Sequence, residues 1–288
     1  MFKHVMTGSE KVLITGVGGF IGGALMEKLV RYEPVGVALR MKGHLQGMNI
    51  IEADLTDEDM VEKIIDQVQP TTVFHFSALS DPRLNQEHPD EARGSNFVTT
   101  ENLAKYLSED VHMIFPSSDK VFDGSDPYPD EHSPVKPLSY YGELKCQCED
   151  LVRKKFKKHH MVRLAAVHNL ERYIKVYQGT GRGAFLDHAL VDLRAGKEVT
   201  VYDGIKRCFT RLENLLDLYD AFVTDEEHYG TYNVGARLSS YINRISALCE
   251  EKSIPWKGKI KLVQGKAKPL VQNMNTEKVR KAFGIDLK

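Results

Sequence analysis

The fold of this chain is decided by the stretch Lys11-Val-Leu-Ile-Thr-Gly-Val-Gly-Gly-Phe-Ile-Gly-Gly23. Its apolar run at 12–14 has the length of one buried strand, and residues 24–30 repeat apolar side chains at helical spacing. Three glycines at three-residue spacing stand between them: Gly16, Gly19 and Gly22. The stretch therefore predicts a strand that enters a helix through a glycine turn.

A turn of this kind presents unpaired backbone N–H groups and a helix N-terminus to one point, which suits a phosphate group. Gly16 would allow the tight turn, Gly19 the close approach of a pyrophosphate, and Gly22 the close packing of helix on strand. A flexible turn without a ligand is the alternative interpretation. The turn thus predicts a dinucleotide site formed by Gly16, Gly19, Phe20, Ile21 and Gly22.

The composition is that of an ordinary globular protein. The 288 residues are 42% hydrophobic and 27% charged, and the net charge of −1 gives no overall basic field for nucleic acid or an anionic membrane. The first ten residues lack the apolar core of a signal peptide, and no window approaches the run of about 18–20 apolar residues that spans a bilayer. The four cysteines are scattered, and no paired Cys/His spacing of a zinc site occurs. We therefore expect a reduced, cytoplasmic protein without a metal site.

Strand and helix patterns alternate through the first half of the chain. Further strands are predicted at 34–39, 49–54, 72–77, 111–115 and 161–167, and further helices at 58–68, 90–107 and 140–158. This alternation predicts a Rossmann-type, doubly wound parallel sheet in residues 1–167. Residues 168–288 predict a smaller mixed α/β lobe, partly interleaved with the first, with strands at 198–202 and 230–235 and helices at 184–195, 213–224, 239–252 and 275–283.

Ligands of a doubly wound sheet bind beyond the carboxyl ends of its strands. The residues just past the predicted strands are small, polar or charged: Arg40, Asp54-Leu55, Ser77-Ala78-Leu79 and Ser117-Ser118-Asp119. Arg40 suits the 2′-phosphate of NADP, and a solvated arginine is the alternative. Asp54 could accept from an adenine amino group or could only cap the next helix. Arg40 therefore favours NADP(H) over NAD(H) as the cofactor.

Tyr141 and Lys145 lie one turn apart on the helix predicted from residue 140. A phenol has a pKa of about 10, and a cation within a few ångströms stabilises its phenolate, which brings proton transfer toward neutral pH. Such a tyrosine can exchange a proton with a substrate oxygen while hydride moves at the attached carbon. Ser118, after the fifth strand, could donate a hydrogen bond to the same oxygen. We therefore predict Ser118, Tyr141 and Lys145 as the catalytic residues, with Tyr141 and Lys145 also at the cofactor.

These motifs together resemble those of the extended short-chain dehydrogenase/reductase family. The resemblance is carried by Thr15-Gly-Val-Gly-Gly-Phe-Ile-Gly22, Asp54-Leu55, His75-Phe-Ser-Ala-Leu79, Asn96, Ser117-Ser118-Asp119 and Tyr141-Gly-Glu-Leu-Lys145. Phe115-Pro-Ser-Ser-Asp-Lys-Val-Phe-Asp-Gly124 is most similar to the Ser-Thr-Asp-Tyr-Val-Phe-x-Gly segment of the dTDP-4-dehydrorhamnose reductase branch. That branch implies NADPH reduction of a nucleotide-linked 4-keto-6-deoxy sugar.

The resemblance also implies where the nucleotide sugar binds. Substrate contacts are expected from Ser118, Asp119, Lys120, Asn169, Arg207 and Lys268. Arg207 matches the arginine that contacts the nucleotide diphosphate in the family, and Lys268 lies where sugar-nucleotide members often carry arginine. Lys120 departs from the 4,6-dehydratases, which have a glutamate base there, and from the GDP-fucose synthase type, which has a cysteine. His168-Asn169 replaces the Tyr-Gly of many members, so the shape of the sugar pocket differs.

Two other functions remain open at this point. An NAD(P)-dependent nucleotide-sugar epimerase would use the same three catalytic residues. A non-catalytic, cofactor-binding regulatory subunit, like the methionine adenosyltransferase β-subunit that resembles the same branch, would act through a partner. Family members are often homodimers.

The basic run at 153–160 is explained by the preference of cations for a helix C-terminus, so we predict no nucleic-acid partner and no membrane partner.

Overall fold

Two compact units make up the chain. The computed structural model describes residues 10–178, 183–264, 271–285 and 287. The first unit contains the described residues up to Ser117, with Ser139–Met161 and Tyr219–Gly230. The second contains Ser118–Leu138, Val162–Leu218 and the described residues from Thr231 onward. Each unit is therefore assembled from three separate stretches of the chain.

The strands are short and mostly buried. They are β1 (Val12–Thr15), β2 (Val35–Ala38), β3 (Ile50–Glu52), β4 (Thr72–His75), β5 (His112–Ser118), β6 (His159–Leu164), β7 (Ala166–His168), β8 (Val199–Asp203), β9 (Lys206–Arg207), β10 (Phe209–Arg211), β11 (Gly230–Val234), β12 (Ser239–Ser240), β13 (Ile260–Gln264) and β14 (Val271–Gln272). Seven of them form one sheet in the order β11-β6-β5-β4-β1-β2-β3. The pairs β4–β5, β1–β4, β1–β2 and β2–β3 are parallel, as expected for a doubly wound sheet.

Helices separate the strands. They are α1 (Phe20–Lys28), α2 (Glu58–Val68), α3 (Pro82–Glu87), α4 (Pro89–Arg93), α5 (Thr99–Tyr106), α6 (Tyr140–Lys155), α7 (Leu170–Val176), α8 (Phe185–Arg194), α9 (Leu212–Val223), α10 (Tyr241–Glu251) and α11 (Glu277–Phe283). α-Helices connect β1 to β2, β3 to β4 and β4 to β5, and a short 3₁₀ turn lies between β2 and β3. This order and the parallel pairing confirm the predicted fold class. Among the helices of the described residues, none is long and apolar enough to cross a membrane.

Two predicted elements differ in detail from the structure. The helix predicted at 90–107 is a continuous helical stretch made of α4, a π-helical turn at Gly94–Val98 and α5, and it is preceded by α3, a helix that the sequence patterns do not predict. Pro82 and Pro89 each occupy the first turn of a helix, where a missing N–H costs nothing. The strand predicted at 230–235 is β11, which lies beside β6 at one edge of the seven-stranded sheet.

Each unit has its own apolar core. Side chains of the parallel strands, such as Leu13, Val73 and Met113, pack with α2, α5 and α6 in the first unit. The second unit has a core of α8, α10 and neighbouring strands, and it includes Leu190, Phe209 and Leu248. Within it, smaller sheets pair β10 with β7, β13 with β8, and the three strands β12-β9-β14. These small sheets position the candidate substrate residues of the second unit.

The basic run at 153–160 is divided between surface and core. Arg153 pairs with Asp150 and Glu149, and Lys157 pairs with Glu109 and Asp110, all within the first unit. His160 is fully buried, and its ring stacks on Phe222 with centroids 3.9 Å apart. Burial lowers the pKa of His160 to about 3, so the ring carries no charge at neutral pH. Two cations of this segment are therefore ion-paired within the first unit, and the histidine at its end is neutral.

Candidate active site

The glycine turn lies against the end of the neighbouring strand β4. Gly16 has a φ of +68°, and a Cβ at this position would be 2.4 Å from the carbonyl carbon of Phe76. A Cβ on Gly22 would be 2.7 Å from the carbonyl oxygen of Gly16. Gly19 is the N-cap of α1 and has no side chain to cap the helix. The turn thus brings the N-terminal end of α1, which has no side-chain cap among the described residues, to a place that any larger side chain would disturb.

A buried hydrogen-bonded chain holds the ends of β1 and β4 together. The hydroxyl of Thr15 is 2.7 Å from Nδ1 of His75, and it also accepts from the N–H of Ser77 at 3.2 Å. Nε2 of His75 is 3.1 Å from the hydroxyl of Thr100. Burial lowers the pKa of His75 to about 3, and the charge of Lys145 acts in the same direction. The neutral ring can therefore accept at one nitrogen and donate at the other, which fixes both strand ends.

The segment Ser77-Ala78-Leu79 follows β4 directly, as predicted. Two buried amides hold its backbone, because Nδ2 of Asn85 and Nδ2 of Asn96 both donate to the carbonyl of Leu79, at 2.8 and 3.3 Å. Asn96 lies in the π-helical turn, and its own carbonyl accepts from the hydroxyl of Thr100. The π-helical turn thus supports the segment predicted to contact the cofactor.

Arg40 lies two residues beyond the end of β2, and its side chain is exposed. It makes no hydrogen bond or ion pair within the part of the chain that the structure describes. The ammonium of Lys42, two residues further on, donates to the carbonyl of Gly18 at 2.7 Å. Sequence reasoning did not single out Lys42, because only the folded turn brings it to the glycine loop. Arg40 is therefore an exposed cation at this strand end, and its role toward a 2′-phosphate stays a prediction.

Asp54 occupies an exposed turn between β3 and α2, and Leu55 beside it is buried. Oδ1 of Asp54 accepts from both the N–H and the hydroxyl of Thr56, at 2.9 and 2.8 Å. The N-cap of α2 is Asp57, whose carboxylate accepts from two backbone N–H groups. Asp54 thus shapes the turn without being the helix cap, and its role toward adenine stays a prediction.

Tyr141 and Lys145 both lie on α6 in the first unit, and both are buried. The ammonium of Lys145 donates to the carbonyl of Pro116 at 2.9 Å and lies 5.8 Å from the centroid of the Tyr141 ring. It also lies 4.7 Å from the centroid of Phe115. Burial lowers the pKa of Lys145 and so weakens its hold on its proton. The structure therefore brings a cation to the face of the predicted proton donor.

Glu149 is a buried counter-charge that sequence reasoning missed. It lies one turn after Lys145 on α6 and raises the pKa of that lysine, against the effect of burial. Oε1 of Glu149 accepts from the hydroxyl of Ser117 at 2.5 Å. The spacing of four residues from Lys145 was the available signal. Glu149 and the Pro116 carbonyl together stabilise the charged form of Lys145.

Ser118 ends β5 and belongs to the second unit, together with Asp119 and Arg207. Its Oγ accepts from the N–H of Lys120 at 3.2 Å, and its hydroxyl lies 3.3 Å from Oδ1 of Asp119. The other oxygen of Asp119 accepts from Nη2 of Arg207 at 2.7 Å. Burial acts to lower the pKa of Arg207, but the Asp119 carboxylate and Tyr241 raise it. Arg207 is thus charged and anchored, and its Nε is buried with no hydrogen-bond partner among the described residues.

The remaining predicted substrate residues differ in position. Asn169 is the N-cap of α7, where its Oδ1 accepts from the N–H of Arg172 at 2.7 Å and its Nδ2 donates to Glu213 at 2.6 Å. Lys268 lies outside the described residues. Within the described ranges, no group of three or more His, Cys, Asp or Glu side chains could hold a metal ion. The structure thus groups Ser118, Asp119, Lys120 and Arg207 in one unit, and Tyr141, Lys145 and the glycine turn in the other.

Comparison with known proteins identifies the family. Residues 10–248 match the family described as the RmlD substrate binding domain. The chain belongs to that family. The methionine adenosyltransferase 2 subunit beta of Bos taurus is 33% identical to this RmlD-family chain over 153 residues. The match covers 52% of the chain and 45% of that relative, so it spans less than half of the relative's length.

Solved structures share the fold of this RmlD-family chain. The dTDP-4-dehydrorhamnose reductase of Bacillus anthracis, in complex with NADP, has a TM-score of 0.79 at 19% identity, over 96% of this chain and 94% of that chain. The UDP-glucose 4-epimerase of Thermotoga maritima, with UDP-glucose, has a TM-score of 0.81 at 21% identity, over 96% and 93%. At such identities the likeness shows the fold alone, and it confirms the predicted Rossmann-type α/β architecture.

Proposed function

We propose that this chain is an NADPH-dependent reductase of a nucleotide-linked 4-keto sugar. The observation that carries the proposal is the buried ammonium of Lys145, held by the Pro116 carbonyl and placed beside the Tyr141 ring. A buried ammonium next to a tyrosine is a means of easing proton transfer from a phenol near neutral pH. Membership of the RmlD family favours a nucleotide sugar, and the reductase branch makes a 4-keto-6-deoxy sugar the first substrate to test.

The residues of the first unit fit a dinucleotide cofactor. The Gly16–Gly22 turn is a cradle that a Cβ would fill, and the N-terminal end of α1 lies beside it, where its dipole suits a pyrophosphate. Arg40 would bind the 2′-phosphate that distinguishes NADPH from NADH. The rest of the cofactor would be contacted by Asp54, Leu55 and the segment Ser77-Ala78-Leu79. The bound cofactor supplies hydride.

The proton chemistry is assigned to three side chains. Tyr141 would donate its phenolic proton to the new alkoxide oxygen. Lys145 would stabilise the phenolate left behind and bind the nicotinamide ribose. Ser118, whose Oγ already accepts from the N–H of Lys120, would direct its hydroxyl proton to the substrate carbonyl and polarise it. Arg207 would bind the nucleotide diphosphate.

Consumption of cofactor tests this function directly. The purified chain with NADPH and dTDP-4-keto-6-deoxyglucose should lose absorbance at the reduced-nicotinamide band while the hydroxy sugar appears. An epimerase would interconvert two sugars with no net loss of NADPH. A regulatory subunit would bind NADPH and turn over neither substrate. Either of the last two results would contradict the reductase.

Arg40→Ala tests the choice of cofactor. We expect NADPH to bind about tenfold more weakly or worse, because a charge-assisted hydrogen bond to phosphate is lost. NADH lacks that phosphate, so its affinity should change by no more than about twofold, within the usual range for surface substitutions. Titration of protein fluorescence at constant ionic strength measures both dissociation constants. An equal loss of affinity for the two cofactors would show that Arg40 does not recognise the 2′-phosphate.

A further inference from the structure

The turn that follows β5 is attached to a small sheet in the second unit. Asp119 and Lys120 begin a 3₁₀ turn that ends at Val121. Asp119 accepts from Arg207, and the ammonium of Lys120 donates to Oε1 of Gln272 at 2.7 Å. Arg207 on β9 and Gln272 on β14 are direct partners in the parallel register of that sheet. Two adjacent residues of the turn thus bind two adjacent positions of the sheet.

One of these two contacts pairs opposite charges, and the other joins a charged group to a neutral one. Asp119 neutralises Arg207, with which it forms an ion pair at 2.7 Å. The hydrogen-bond partner of Lys120 is a neutral amide, and no carboxylate lies within ion-pair distance of its ammonium among the described residues. Burial lowers the pKa of Lys120, although Asp119 raises it. Asp119, Lys120 and Arg207 therefore carry two positive charges and one negative charge together. The excess positive charge is half-buried, where a charge without a counter-charge is costly.

We infer that Lys120 recognises a carboxylate on the sugar, carried by the carbon next to the carbonyl group. This inference rests on the proposed function, in which Ser118 binds the carbonyl oxygen. The backbone N–H of Lys120 donates to Oγ of Ser118, so the lysine lies in the same turn as the serine proposed to bind the carbonyl oxygen. An ammonium has three donors, and Gln272 takes one, which leaves donors for a carboxylate.

The inferred substrate is thus the 4-keto form of a nucleotide-linked uronic acid, and the uronic acid itself is the reduced product. It keeps the proposed reaction and replaces the methyl group of a 6-deoxy sugar by an acidic group. The similar segment of the reductase branch has a tyrosine where this chain has Lys120, which is consistent with a different substituent at this place. The nucleotide diphosphate is the other anion that could reach a lysine, and the two are separable by experiment.

Binding of paired ligands provides the test. UDP-glucuronic acid and UDP-glucose, and the corresponding dTDP-sugars, differ only at C6, which is a carboxylate in the first and a hydroxymethyl group in the second. In the presence of NADPH, calorimetric titration of the full chain should show at least about tenfold tighter binding of the glucuronic acid form, because a charge-assisted hydrogen bond is made only there. Lys120→Gln should reduce this ratio to about one. Lys206→Gln removes an exposed cation from the same small sheet and should leave the ratio unchanged.

A second variant keeps the lysine in place. Gln272→Glu would give Lys120 an internal counter-charge, so the preference for the acidic sugar should fall as it does for Lys120→Gln. Equal wild-type affinity for the acidic and neutral sugars would overturn the inference while the reductase function stands. A loss of both sugars by the same factor in Lys120→Gln would assign the lysine to the diphosphate and also overturn it. Failure of every nucleotide sugar to bind would contradict the proposed function itself.

Discussion

Tyr141→Phe should lower the rate of NADPH-dependent reduction by a factor of about 10²–10⁴, the usual contribution of a positioned proton donor. Phenylalanine keeps the ring that lies 5.8 Å from the Lys145 ammonium, and it removes only the phenolic oxygen. The affinity for NADPH should therefore stay within a few-fold of the wild-type value. Single-turnover measurement of NADPH oxidation, together with a fluorescence titration of NADPH, separates the loss of chemistry from a loss of binding.

Tyr140→Phe is the matched control for this experiment. Tyr140 is the first residue of the same helix, and it is half-buried, so the two variants lose the same atom from adjacent positions. We expect Tyr140→Phe to retain nearly full activity. Equal activity of the two variants would remove Tyr141 from the mechanism. A partner-dependent activity that persists unchanged in Tyr141→Phe would favour the regulatory-subunit alternative.

Gly16→Ala should destabilise the chain by about 2–5 kcal/mol. A left-handed backbone conformation costs an alanine about 1–2 kcal/mol, and forcing a methyl group into packed atoms costs typically 1–3 kcal/mol more. The added Cβ would be 2.4 Å from the Phe76 carbonyl carbon and 2.6 Å from the Ser77 nitrogen, so the backbone of the turn or of the β4 end has to move. Urea unfolding measures the free-energy change, and NADPH affinity should fall with it.

Gly47→Ala isolates the contribution of the backbone conformation. Gly47 has a φ of +80°, but nothing lies within 4 Å of the position where its Cβ would stand. We expect this variant to lose only the conformational cost of about 1–2 kcal/mol and to bind NADPH normally. If Gly16→Ala were no more destabilising than Gly47→Ala, the close packing of the glycine turn on β4 would not hold in solution.

Local signals in the sequence were sufficient for much of the cofactor-binding half. The helix predicted at 58–68 has those bounds in the structure, because Asp57 caps its first turn and Gln69 ends it in a left-handed conformation before Pro70. Asp81-Pro82 is an equally local helix-start signal, but it is not part of the apolar patterns from which the helices were predicted. There the Asp81 carboxylate caps a helix whose first residue is the proline.

The second unit depends on contacts between distant residues, and these have no local signature. β9, β12 and β14 are two residues each and are defined only by their pairing across the chain. The Lys120–Gln272 bond joins residues that no helical or strand period relates. Glu149 was within reach of sequence reasoning, since it follows Lys145 at helical spacing, but its burial and its bond to Ser117 were not.

The interleaved first unit constrains how the protein is made. Its last stretch, Tyr219–Gly230, places the Tyr219 ring against Phe74 and Phe76, with centroids 5.7 and 5.3 Å apart. A chain growing from the ribosome has already released most of the second unit before Tyr219 emerges. The amino-terminal unit, although synthesised first, therefore cannot close its aromatic core during translation of its own first stretch, contrary to the usual order for domains along a chain. Until then Phe74 and its neighbours remain open to chaperones and to other nascent chains.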